Sequence, residues 1–190
     1  MRLGILGGTF NPVHLGHLVL AESAREQCGL DSVWFVPTAT PPHKPARDLA
    51  QGRLRLEMVR LAIRGNRAFR ASDLELRLGG VSYTVRTVSW IRAHHPRAQL
   101  FLIVGQDMLT VPWYGLDQIR AFCTFVVAGR PDSEQAKPRP GMRRITMPQL
   151  GVSSSLIREQ LRRGRSIRYL VPDPVERFIT ARRLYRRRAT

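Results

Sequence analysis

The chain has 190 residues, 43% of them hydrophobic, which suffices for one core and is too apolar for a disordered chain. No apolar run reaches the length of a membrane span, no signal-peptide cleavage pattern precedes the first predicted strand, and Cys28 and Cys123 are too far apart to form a metal-type pair, so both read as reduced core thiols of a cytoplasmic protein. The net charge of +17 suits an anionic substrate, nucleic acid or a merely solvated arginine-rich surface, and the excess lies late, at Arg162, Arg163, Arg165, Arg168, Arg182, Arg183 and Arg186 to Arg188.

Taken in order, residues 2–6 predict a short apolar strand that runs into Gly7-Gly8. Apolar residues at helical spacing predict a helix over 15–28, stopped by Gly29, and 32–36 a buried strand. These first elements spell a βαβ unit with parallel strands. Residues 37–45 form a proline-rich loop, 51–63 a helix and 69–78 a weak strand broken by Gly79-Gly80. A helix over 84–94, a continuous apolar strand over 99–104, a short helix over 116–121 and a strand over 124–128 follow. Beyond a charged loop over 130–139 come a last strand over 144–147, a helix over 154–163 and an amphipathic helix over 175–186. This alternation predicts an α/β fold, Rossmann-like and doubly wound, with a mainly parallel sheet and helices on both faces. A single domain over 1–185 with a basic tail over 186–190 is expected, and ligands of such sheets sit beyond the carboxyl ends of the strands.

Two constellations carry chemistry. Gly7-Gly8-Thr9-Phe10-Asn11-Pro12-Val13-His14-Leu15-Gly16-His17 joins the first strand to the first helix. Its glycines admit a ligand close to the backbone, and a helix start offers free N–H groups to phosphate. His14 and His17 lie three apart around Gly16, a spacing that turns both rings to one side, where they can stabilise charge growing on phosphorus. Two surface histidines on a capped helix, or two of the ligands of a zinc site, are the other readings; no third metal ligand stands at a usual spacing. In the second constellation, Ser153-Ser154-Ser155-Leu156-Ile157-Arg158, hydroxyls at a helix start can cap N–H groups or bind phosphate, and Arg158 can offer a two-pronged contact to the same anion.

The first segment resembles the signature of the HxGH nucleotidyltransferase superfamily, and the sequence as a whole resembles the bacterial nicotinate-nucleotide adenylyltransferases of NAD synthesis from Met1 to about Tyr185. The second segment is similar to that family's Ser-Ser-Thr-x-Ile-Arg element, with Ser155 in place of Thr. Pro41-Pro42-His43-Lys44, Ser82-Tyr83-Thr84, Gly105-Gln106-Asp107 and Trp113 resemble its selectivity and nucleotide-contact segments, although Arg86 stands where the family usually has an acid.

The resemblance implies transfer of an adenylyl group from ATP to nicotinate mononucleotide. His14, His17 and Arg158 are then the catalytic residues. Gly7, Gly8, Thr9, Phe10, Gly105, Asp107, Ser153 and Ser154 join them in binding ATP. Lys44 meets the phosphate of the second substrate, Tyr83 and Thr84 lie beside its pyridine ring, and Trp113 stacks on that ring. Exposed alternatives remain for Lys44 and Trp113. The implied cofactor is Mg²⁺ carried by the ATP phosphates rather than by a protein cage. No membrane and no specific nucleic acid is expected as a partner, and the oligomeric state, a homo-oligomer included, is left open. The rival readings are a sister adenylyltransferase acting on nicotinamide mononucleotide or phosphopantetheine, and a basic nucleic-acid-binding protein on the same fold.

Overall fold

The computed structural model describes residues 1–41, 49–105, 112–129 and 141–186. In chain order the elements are β1 (Arg2–Gly8), α1 (Leu15–Cys28), β2 (Ser32–Pro37), α2 (Gly52–Ala62), β3 (Phe69–Ala71), α3 (Leu74–Leu78), α4 (Thr84–His94), β4 (Gln99–Val104), α5 (Leu116–Phe122), β5 (Cys123–Gly129), β6 (Met142–Thr146), α6 (Ser154–Arg162) and α7 (Asp173–Ala181). The six strands form one sheet in the order β3-β2-β1-β4-β5-β6, and every pair is parallel. The order reverses between β1 and β4, and a crevice opens where the chain leaves neighbouring strands in opposite directions.

Side-chain alternation splits the core into two layers. Leu3 and Ile5 of β1 join Leu100, Leu102 and Val104 of β4 in the layer under α4 and α5. Leu6, Phe35, Phe101, Ile103 and Val126 face the other way, beneath α1, α2, α6 and α7. Gly4 also points into this second layer, where a Cβ would lie 2.8 Å from Leu30 and 3.0 Å from Ile103, so only glycine fits. Cys28 and Cys123 are buried free thiols in opposite layers, and burial pushes Cys123 up to about 12. Among the described residues no helix is long and apolar enough to cross a membrane.

Two predicted elements need correction. The weak strand over 69–78 pairs with β2 only through Phe69–Ala71. Ser72 then gives its N–H to Phe35 and accepts that of Leu74, which turns the chain into α3, where Arg77 pairs with Asp73 one turn back. The apolar-polar alternation of Leu74 to Leu78 imitates a strand, but it also puts Leu74 and Leu78 one helical turn apart on the core. The last helix spans Asp173–Ala181 rather than 175–186. Pro174 suits its first turn, and Arg183 and Tyr185 take positive φ (50° and 62°), which a helix cannot accommodate. The expected loops over 37–45 and 130–139 fall largely outside the described residues, as does the tail beyond 186.

Candidate active site

The end of β1 and the start of α1 build the first half of the site. Phe10 takes a positive φ of 47°, which drops its ring into the core under Gly8 and against Phe35. Its side chain is therefore no wall for a phosphate, and only its backbone lines the loop. Gly7 is exposed, and a Cβ there would meet no atom within 4 Å, so the loop's surface is open at that point.

His14 is the N-cap of α1, with extended backbone angles. Its N–H donates to Nδ1 of His17 at 3.2 Å. A neutral His17 that accepts at Nδ1 carries its proton on Nε2, which leaves that nitrogen as a donor. The two rings lie 3.7 Å apart, centroid to centroid, and the Phe10 ring supports His17 edge-on at 5.0 Å. Burial brings His14 down to about 4, so it is an uncharged imidazole at neutral pH, and its buried Nδ1 has no hydrogen-bond partner among the described residues. Gly16 packs closely: a Cβ would sit 3.1 Å from the His14 ring and 3.2 Å from Val152, so these neighbours would have to give by a few tenths of an ångström.

The second constellation docks onto this loop. Ser153 caps α6 by accepting the Leu156 N–H at 3.1 Å. Ser154 donates to the carbonyl of Pro12 at 2.8 Å, and Arg158 donates to that of Asn11 at 2.9 Å and to the Ser155 hydroxyl at 3.3 Å. Arg158 Nε is buried and has no partner among the described residues. The Ser154 hydroxyl and the Arg158 guanidinium expected on phosphate are thus fixed to the loop that carries the histidines, and the starts of α1 and α6 lie side by side. Beside them, Gly16, Leu20, Gly105, Ala128, Gly129 and Met147 line a cleft of about 220 Å³ beyond the carboxyl ends of β4 and β5.

Across the crevice, Tyr83 caps α4 and Thr84 is its first residue. The Tyr83 N–H is taken by Val81, so any helix-start amides offered to a ligand begin at Thr84. Arg86, which departs from the family pattern, donates to the carbonyls of Gly79 and Val81 and closes the turn ahead of this segment. Gly115, with a φ of 70°, allows its turn to press on α4: a Cβ there would lie 2.9 Å from Val85. That close approach sets Tyr114 on Tyr83, with ring centroids 4.9 Å apart, while the half-buried Trp113 packs its edge against Phe125 at 5.6 Å. Lys44 and Asp107 lie outside the described residues.

Known proteins are similar to this chain. The Cytidylyltransferase-like family pattern matches residues 5–160. A relative from Shouchella clausii is 42% identical over 97% of this chain and 96% of its own, and the nicotinate-nucleotide adenylyltransferase of Bacillus subtilis is 38% identical over 97% and 98%. The chain belongs to the nicotinate-nucleotide adenylyltransferase family. The fold is also that of the Plasmodium falciparum nicotinic acid mononucleotide adenylyltransferase complexed with NaAD (TM-score 0.81, 19% identity, 97% of each chain).

This adenylyltransferase has functional-site neighbours that the sequence reading passed over. Arg55 of α2 is 1% exposed and bonds carbonyls of the loops that follow β1 and β2 and of the residue two before α2. Glu75 is 7% exposed, accepts the Thr87 hydroxyl at 2.6 Å and lies beneath the Ser82–Tyr83 turn. Burial pushes its carboxyl up, against the pull of the Thr87 and Ser82 hydroxyls. Tyr185 donates to Asn11 Oδ1 at 2.8 Å from the far end of the chain. Tyr114, next to the predicted Trp113, was legible as an aromatic pair; an arginine in an arginine-rich helix and a glutamate in an alternating segment were not.

Proposed function

We propose that the phosphate of nicotinate mononucleotide attacks the α-phosphorus of ATP in line: a new P–O bond forms, the bond from the α-phosphorus to the bridging oxygen breaks, and pyrophosphate leaves with the electron pair. The nucleophile is already an anion, so positioning and charge stabilisation do the catalytic work. His14 and His17 contact the ATP phosphates and the charge developing at the α-phosphorus. The observation that best supports this is the His14–His17 pair: ring centroids 3.7 Å apart, with His14 held neutral by burial and His17 accepting the His14 N–H at Nδ1. Ser153, Ser154 and Arg158 hold the outer phosphates, and Gly7, Gly8 and the backbone of Thr9 and Phe10 form the near wall. Gly105 and Asp107 serve the nucleotide. Tyr83, Thr84 and Trp113 hold the pyridine ring and Lys44 the phosphate of the second substrate. The free amides at the start of α4 favour a carboxylated ring over a neutral amide.

Among the described residues no group of three or more His, Cys, Asp or Glu could hold a metal ion. The open space over Gly7, where a Cβ would meet no atom within 4 Å, leaves room for a hydrated Mg²⁺ carried by the ATP phosphates. When bound, the ion would offset phosphate charge; the orientation of the phosphates falls to the residues named.

The test is pyrophosphate release from ATP and Mg²⁺ with nicotinate mononucleotide, nicotinamide mononucleotide or phosphopantetheine. Preference for the first is expected. Equal rates with the amide would overturn the role given to the α4 amides, and no release from folded protein would overturn the reaction. The cytoplasmic placement rests on the two buried free thiols.

A further inference from the structure

Arg55 is among the largest fully buried side chains of the protein. Its described acceptors are all main-chain carbonyls, from three separate segments. Nη1 donates to Thr9 in the glycine-rich loop at 2.8 Å, Nη2 to Thr38 after β2 at 2.7 Å and to Ala39 at 3.4 Å, and Nε to Ala50 at 2.8 Å. Burial lowers its pKa, yet a guanidinium keeps its charge.

The 38–40 segment that it grips is tied on both sides. The Thr38 N–H donates to Gly8 at 3.0 Å, on the phosphate side. The Ala39 N–H donates to the Ser82 hydroxyl at 2.8 Å, and the Ser82 N–H returns to Thr40 at 2.9 Å, on the pyridine side. Ala50, held by Nε, in turn gives its N–H to Asn11, whose carbonyl receives Arg158. One buried side chain thus fastens the phosphate loop and the strap leading to Ser82–Thr84 to a common point.

We infer that Arg55 is a positioning residue that sets the separation between the two half-sites, so that the attacking phosphate and the α-phosphorus meet in line. The inference rests on the reaction proposed above. Each half-site can bind its ligand alone; only their alignment depends on the guanidinium. Lysine cannot replace it, because a single ammonium cannot reach Thr9, Thr38 and Ala50 together.

The experiment is steady-state kinetics on Arg55→Lys and Arg55→Met, with folding checked by circular dichroism, beside Ser82→Ala, which cuts the strap at its other end. A misplacement of about 1 Å costs on the order of 10²-fold, so kcat should fall by about that factor in the Arg55 variants while both KM values stay within about threefold. Ser82→Ala should show the same split with a smaller loss, and it carries the test if neither Arg55 variant folds. A kcat within about threefold of wild type in the folded variants, or a loss carried by one KM alone, would overturn the inference. Wild type that releases no pyrophosphate would instead overturn the reaction itself.

Discussion

His14 and His17 sit in different environments although both are imidazoles. His14 is buried and held neutral, whereas His17 is half-exposed and accepts the His14 N–H at Nδ1. Removing a transition-state donor of this kind costs about 10²–10³ in turnover, so His17→Ala should lose that much kcat while melting as wild type; near-normal kcat would remove His17 from the chemistry. The burial of His14 also makes stability depend on pH. Its folded pKa of about 4 is below the unfolded value of 6.5, so on acidification the unfolded chain takes up the proton first. The contribution of the neutral ring is therefore intact above pH 6.5 and is lost as pH falls towards 4. At about pH 4.5 the loss should be on the order of 2–3 kcal/mol. Urea unfolding of wild type and His14→Gln at neutral and acid pH checks this: the variant should lose less stability on acidification, and equal losses would show that His14 titrates normally.

At the scale of elements, the site is a set of helix starts pressed together by small residues. Gly16 lets the Val152 side chain and the His14 ring share one space. Gly16→Ala gains about 1 kcal/mol of helix propensity and suffers a clash of about 1–3 kcal/mol. Its melting point should move little, while kcat falls tenfold or more because the His14 ring must shift. A variant with normal kcat would mean the ring has room to spare. Gly115 similarly brings the turn carrying Trp113 and Tyr114 against α4. Trp113→Ala should raise KM for nicotinate mononucleotide about 3- to 10-fold through the lost ring contact and leave that for ATP nearly unchanged. Equal effects on the two constants would point to a general loosening of the α4–α5 layer instead.

For the whole molecule the charge dominates. With 31 lysines and arginines against 14 acids, the field attracts both anionic substrates before any specific contact forms. The described ion pairs are short-range surface pairs along single helices, such as Arg25–Glu22 and Arg163–Glu159, and contribute little to stability. Because the Debye length shrinks to about 10 Å at 0.1 M salt, kcat/KM for ATP should fall at least about threefold between low and roughly 0.3 M salt, with kcat nearly constant. A flat salt profile would mean that the excess charge lies too far from the site to steer substrate.

The sequence by itself determined what is local or periodic. Continuous apolar runs marked β1, β2, β4 and β5, because strands buried on both faces need no polar alternation, and the alternation of strand and helix implied the parallel sheet. The spacing of His14, Gly16 and His17 told that the rings share a side, since residues three apart on a helix are neighbours. The tertiary structure decided what depends on distant chain. Ser154 and Arg158 reach the first loop across more than 140 residues, Tyr185 across 174, and no spacing rule encodes such contacts. Phe10 sits in a motif that read as a phosphate wall, but its positive φ sends the ring inward. Arg55 was one arginine among many in an arginine-rich chain, and only the packing of α2 over the end of the sheet shows that it is buried on the carbonyls of the loops after β1 and β2.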